Sequence, residues 1–69
     1  MINPGKLGAN IKNLRLQRKI SQESLARAAN LKLSNLAKLE GGFNANPTLI
    51  TLAALSRILT GGSIDRLLR

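Results

Sequence analysis

Apolar residues recur at three- and four-residue intervals along most of the chain. No stretch alternates apolar with polar for long enough to make a strand, so the pattern predicts an all-α fold. Near the start, Leu7, Ile11 and Leu14 fall on one helical face behind Asn3, a candidate N-cap, and Pro4. Proline suits the first helical position because its missing N–H would be unsatisfied there anyway, so a first helix is expected from residue 4 or 5 to Arg18. Ser21 is placed to cap a second helix, with Glu23 in the first turn, where a carboxylate meets the positive end of the helix dipole. Leu25, Ala26 and Ala29 form its buried stripe. The pattern stops at Asn30, a residue type that tolerates the left-handed backbone of a sharp turn. Leu36 and Leu39 resume helical spacing after Leu31, giving a third helix over 33–40 closed by Gly41-Gly42. After a loop over 41–45, Asn46-Pro47 repeats the cap-plus-proline arrangement, and Leu49, Leu52, Leu55, Ser56 and Leu59 are expected to face the core from a fourth helix. Gly61-Gly62 ends it, and Ser63 caps a last short helix packed down by Ile64, Leu67 and Leu68.

Composition narrows what these five helices do. With 69 residues, 43% of them apolar, and neither a linker nor a repeat, one small domain over 1–69 is expected, burying roughly 60% of the surface its unfolded chain exposes. Eleven Lys and Arg against three Asp and Glu give a formal charge of +8, which favours a polyanionic partner, nucleic acid before an anionic membrane. The absence of Cys and His removes zinc fingers, disulfides, thiol nucleophiles and imidazole acid–base chemistry together. Glu23, Glu40 and Asp65 are the only carboxylates and are spread along the chain, so no catalytic, metal or cofactor role is expected. Phe43 is the single aromatic residue, too little for the stacking platforms of single-strand binders, which points to duplex DNA. The opening residues are not a basic leader before an apolar block, and the longest apolar stretch, 49–59, is interrupted by Thr51, Ser56 and Arg57. A cytoplasmic protein with no membrane association is the expectation.

The constellation over 22–39 is more specific. Two helices crossing steeply through a short turn need a small residue at their contact, a turn residue tolerant of positive φ, and apolar anchors on both sides. Ala26, Asn30 and the set Leu25, Leu31, Leu36 and Leu39 meet these needs in turn. With Ile11-x-x-Leu14-Arg15, Ser21-Gln22-x-x-Leu25-Ala26, Leu39-Glu40 before Gly41-Gly42, and Asn46-Pro47-x-Leu49 in the same order and spacing, the chain resembles the phage repressor and Cro-type (XRE-like) helix-turn-helix family. The resemblance covers nearly the whole sequence. It implies a compact five-helix repressor-type domain in which helices 2 and 3 form the helix-turn-helix. The third helix would enter the major groove while the second crosses the backbone.

Ser34, Asn35 and Lys38 share a face of helix 3 away from Leu36 and Leu39, because residues three and four apart are neighbours on a helix. Carried over from the family pattern, Leu33, Ser34 and Lys38 are the base readers, with Asn35 beside them. Lys38 can donate to guanine O6 or N7, and Ser34 suits a donor or an acceptor. Leu33 either touches a thymine methyl or packs locally. The resemblance places phosphate contacts at Ser21 and Gln22, at the backbone N–H groups near Gly41 and Gly42, and at Asn44 and Thr48. Lys12, Arg18, Lys19 and Lys32 add diffuse attraction or form an ordinary solvated basic face. Arg15 and Glu40 occupy the positions of a family ion pair that links helix 1 to the end of helix 3.

In two places the chain departs from the family pattern. Lys32 stands where a small capping hydroxyl usually opens helix 3, so either Lys32 meets a phosphate or the helix starts at Ser34. Gly61-Gly62 stands where a turn residue is usually followed by an apolar one. The function implied is sequence-specific binding of an operator, palindromic to match a homodimer on DNA, by a transcriptional repressor. An antitoxin that also binds a toxin, or a restriction-modification controller protein, fits the same residues. A basic five-helix bundle that binds a protein, and a cationic amphipathic membrane binder, are the readings outside that class.

Overall fold

The computed structural model describes residues 3–43 and 47–69. Five α-helices follow one another: α1 Pro4–Gln17, α2 Gln22–Ala28, α3 Leu33–Glu40, α4 Leu49–Leu59 and α5 Ile64–Leu68. Four of the five start on a side-chain cap. Asn3, Ser21, Thr48 and Ser63 each accept a hydrogen bond from the backbone N–H three residues on, at Lys6, Ser24, Thr51 and Arg66. Each such cap satisfies an orphan donor of the first turn.

One core joins all five helices. Leu7 and Ile11 of α1, Leu25 and Ala26 of α2, Leu36 and Leu39 of α3, Leu52, Leu55 and Leu59 of α4, and Leu67 of α5 are buried together with Ala29. Side chains that reach backbone carbonyls tie the ends of the helices to one another. Asn10 Nδ2 donates to the Leu67 carbonyl at 3.1 Å, and Arg18 Nε donates to the Leu59 carbonyl at 2.9 Å. Arg18 is therefore bound at one nitrogen to the end of α4, not wholly free for the diffuse attraction its charge suggests.

Three expectations are corrected. The fourth helix does not begin on Asn46-Pro47: Thr48 is its cap and Leu49 its first residue, while Asn46 lies outside the described residues. That start puts Leu49 on the solvent side, 71% exposed, because the buried face of α4 is fixed by Leu52, Leu55, Ser56 and Leu59. In α5, Leu67 alone is buried, and Leu68, the adjacent residue on a helix, turns outward.

Candidate nucleic-acid interface

The bend between α2 and α3 is built from backbone hydrogen bonds. Asn30 takes φ 57°, the Leu31 N–H donates to the Ala26 carbonyl at 2.8 Å, and the Asn30 N–H donates to Arg27 at 3.2 Å. This is the Schellman arrangement, which needs one left-handed residue and returns two orphan carbonyls to use. The end of α1 repeats it with Lys19 at φ 55°, through Ile20 N–H to the Arg15 carbonyl at 3.1 Å and Lys19 N–H to Leu16 at 3.0 Å. The end of α3 repeats it again with Gly42 at φ 79°, through Phe43 N–H to Lys38 at 2.9 Å and Gly42 N–H to Leu39 at 3.1 Å.

That third closure corrects the expectation that the Gly41 and Gly42 amides face a phosphate. The Gly41 N–H donates to the Ala37 carbonyl at 3.0 Å and the Gly42 N–H to Leu39, so both donors are already used in ending α3. Presenting them to an anion means breaking the helix end. Asn44, the next residue expected at a phosphate, lies outside the described residues.

The two faces of α3 separate cleanly. Leu36 and Leu39 are buried, whereas Ser34, Asn35 and Lys38 are exposed and Leu33 is 43% exposed. Leu33 thus packs only in part, and its remaining apolar surface faces water. The helix starts at Leu33, one residue before the alternative start at Ser34, and the preceding Lys32 makes no side-chain cap. Its ammonium, like those of Lys12 and Lys38, belongs to no ion pair among the described residues.

Three positions without hydrophobic character hold the inner face of α3. Arg15 Nε donates to Glu40 Oε2 at 2.8 Å and Nη2 donates to Oε1 at 3.0 Å, a bidentate fork whose two side chains are 11% and 5% exposed. The third arm, Arg15 Nη1, donates to the Ile20 carbonyl at 3.0 Å, so one guanidinium ties α1, the α1–α2 turn and the last residue of α3. The hydrogen bond from Glu40 raises the Arg15 pKa above its ordinary value, against the opposing effect of burial. Gly8 is the third position. A Cβ there would collide with the Leu39 carbonyl oxygen and lie 2.8 Å from that of Glu40, so α1 and the end of α3 touch backbone to backbone.

A cleft of about 320 Å³ opens beside this junction, lined by Lys12, Arg15, Gln22, Ala37, Glu40 and Gly41. It places Lys12 and Gln22 together. Ser21 and Thr48 are exposed hydroxyls, but each caps its own helix, Ser21 Oγ also lying 2.9 Å from Ser24 Oγ and Thr48 Oγ1 2.9 Å from Thr51 Oγ1. The cleft's makeup and the role of Gly8 were not read from the sequence. A glycine inside an otherwise regular helix is the signal that points to a close backbone approach.

An exposed polar row on a short helix, held from behind by a core and an ion pair and preceded by a sharply turned helix, defines a helix-turn-helix DNA-binding domain. The helix-turn-helix family matches residues 11–67, and the chain belongs to it, within its phage repressor and Cro-type branch. It is a DNA-binding regulator of transcription. Among solved structures it is similar to the restriction-modification controller protein C.AhdI from Aeromonas hydrophila, with 28% identity over 91% of this chain and 92% of that one and a TM-score of 0.83. It is also similar to the clp gene regulator ClgR from Corynebacterium glutamicum, with 25% identity over 99% of this chain and 70% of that one and a TM-score of 0.86. HppE carries the same fold in 37% of its length, with 26% identity over the whole of this chain and a TM-score of 0.83. No curated protein matches the sequence.

Proposed function

We propose that the protein binds an operator by inserting α3 into the major groove and represses transcription there. The observation that carries this reading is the exposed row Leu33, Ser34, Asn35 and Lys38 on a helix whose opposite face is immobilised by Leu36, Leu39 and the Arg15–Glu40 fork. Lys38 reads a guanine edge, Ser34 and Asn35 read hydrogen-bonding groups beside it, and Leu33 offers apolar surface to a thymine methyl. Ser21, Gln22, Lys32 and Thr48 position the domain on phosphates, with Lys12 joining Gln22 in the cleft between α1 and α3. The free first turn of α3, with no side-chain cap and Lys32 before it, suits an approach to the anionic duplex. Asn44 is assigned a phosphate by resemblance alone.

In keeping with the family of DNA-binding regulators it belongs to, the protein acts by binding, in the cytoplasm, and without a reaction of its own. It works as a homodimer on a palindromic site, with half-sites about one helical turn or ~34 Å apart. A second reading, a restriction-modification controller, is favoured by the similarity to C.AhdI, which extends over 92% of that chain. A toxin partner is the third, and co-expression with chromosomal neighbours followed by pull-down separates it from the other two.

Fluorescence anisotropy with labelled duplexes across a salt series tests the reading. If five or six phosphates are neutralised per protomer, log K falls against log salt with a slope of about −5 per protomer. A flat salt response, or equal binding to single strands, contradicts it.

A further inference from the structure

The outer face of α3 is made of two strips side by side, and the side chains of only one can form hydrogen bonds. Ser34 and Lys38, one turn apart, carry a hydroxyl and an ammonium, with the Asn35 amide beside them, and all three are exposed. Leu33 and Ala37, also one turn apart and also exposed, make the second strip, which is apolar throughout. The other neighbour of Leu33 on its helical face, Leu36, is buried in the core. Three and four residues on, Leu33 therefore meets apolar side chains, with no donor or acceptor among them to compete for a base edge. It is 43% exposed, so more than half of its surface already rests on the protein, and contact through the remainder costs little further side-chain entropy.

In the major groove a pyrimidine presents its hydrogen-bonding group and its C5 position, which carries a methyl in thymine and a hydrogen in cytosine. The leucine side chain forms no hydrogen bond, so it cannot tell the O4 acceptor of thymine from the N4 donor of cytosine and responds to the C5 substituent alone. A cytosine methylated at C5 offers Leu33 the same group that thymine does. We propose that Leu33 makes this protein a reader of pyrimidine C5 methylation, which binds its operator more tightly when the cytosine facing Leu33 is 5-methylcytosine. The proposal rests on the reading in which α3 lies in the major groove, and it names a methylated duplex as the preferred ligand of that site.

Burying one methyl group changes Kd about fourfold. Methylation thus tunes affinity at a site that the polar strip selects. The methyl carries no charge, and counterion release depends on the phosphates neutralised, which methylation leaves as they are. The methyl preference therefore holds as salt is raised, while the affinity itself falls. A C5 methyl also alters the shape and stiffness of a duplex, but a protein that senses it in that way does so without Leu33.

Fluorescence anisotropy of the whole chain on a duplex recovered by selection from a random pool is the test. Deoxyuridine replaces each thymidine of a half-site in turn, which deletes the methyl and keeps every hydrogen-bonding group. Where that substitution costs affinity, and at each cytosine, 5-methylcytosine is compared with cytosine. Thymine is expected to bind about fourfold more tightly than uracil, and 5-methylcytosine than cytosine, at one pyrimidine position and at about 0.1 M and 0.3 M NaCl alike. Leu33→Ser should bring both ratios to about one and Leu33→Met, which keeps an apolar tip, should retain them. Ser34→Ala should retain them too, whatever it does to the affinity, with thermal melts showing each variant folded. Ratios of about one at every pyrimidine, in a wild type that still selects a sequence, overturn the proposal and leave the major-groove reading standing. So does a methyl effect that survives Leu33→Ser, which assigns it to duplex shape. A chain that selects no duplex sequence overturns the major-groove reading, and the proposal with it.

Discussion

The junction of α1 with α3 and the first turn of α4 invert the usual relation between polarity and burial. At the junction, a glycine lets two backbones close on each other and an arginine and a glutamate form a bidentate pair, the ion-paired side chains 11% and 5% exposed. At the start of α4, a leucine and an isoleucine stand 71% and 82% in water. The difference follows from what each region positions. The end of α3 must be held at one angle for its outer face to meet a groove, and a bidentate fork fixes angle as well as distance. The first turn of α4 orders nothing within the chain, which leaves its apolar surface for contacts outside it.

Breaking the junction should have the largest effect. Arg15→Ala or Glu40→Ala strands a buried charge and is expected to cost about 3–5 kcal/mol in chemical denaturation, whereas Arg15→Met with Glu40→Leu should cost less than either single change. Strict additivity of the singles would mean that the two groups do not act as a pair. The contribution of Arg15 is independent of pH in the working range. Its folded pKa is raised, so its stabilisation is complete below the unfolded guanidinium value and declines only as pH rises through the still higher folded one.

Within α4 the comparison can be made in a single helix. Leu55→Ala, at a fully buried site, is expected to lose about 2–5 kcal/mol, and Leu49→Ala less than about 0.5 kcal/mol. Similar losses at the two positions would show that Leu49 is covered in solution. Gly8→Ala should cost about 1–3 kcal/mol by overpacking, although alanine favours a helix. It should also weaken binding to a selected duplex, because the backbone that gives way carries α3.

A modest gain, the one stabilising change among these, is expected at Lys19, whose left-handed backbone disfavours a side chain. Lys19→Gly relieves that strain at the expense of a more flexible unfolded chain, for a net gain of about 0.5–1 kcal/mol in a thermal melt. A loss would mean that Lys19 makes a contact worth more than its strain.

How far the sequence could be read follows from the same contrast. The helices and their order were legible because each has an apolar stripe and most have a hydroxyl or amide cap, and Asn30 marked the α2–α3 bend by its residue type. Leu49 misled because one apolar residue beside a regular stripe carries no sign of which side of the helix start it falls on. The Thr48 cap, two residues after Asn46, decided it. Lys19 gave no signal at all, since a lysine in a Schellman turn looks like any surface lysine. The backbone N–H groups near Gly41 and Gly42 were given to a phosphate by resemblance, while the glycine pair itself reads as a helix stop. Only the hydrogen bonds tell the two apart. The exposed row of α3 needed nothing beyond helical geometry and the Arg15–Glu40 pair was expected by resemblance, while the support at Gly8 depends on a contact between residues far apart in the chain.

Selection of duplexes from a random pool by wild type and by Lys38→Ala and Gln22→Ala is the most direct test that α3 reads bases while α2 holds phosphates. Lys38→Ala should lose preference at one base position, costing about 1–3 kcal/mol on the original site, and Gln22→Ala should weaken all duplexes alike with the preference unchanged. An unaltered preference in the Lys38 variant, or the same uniform loss in both, would contradict the account.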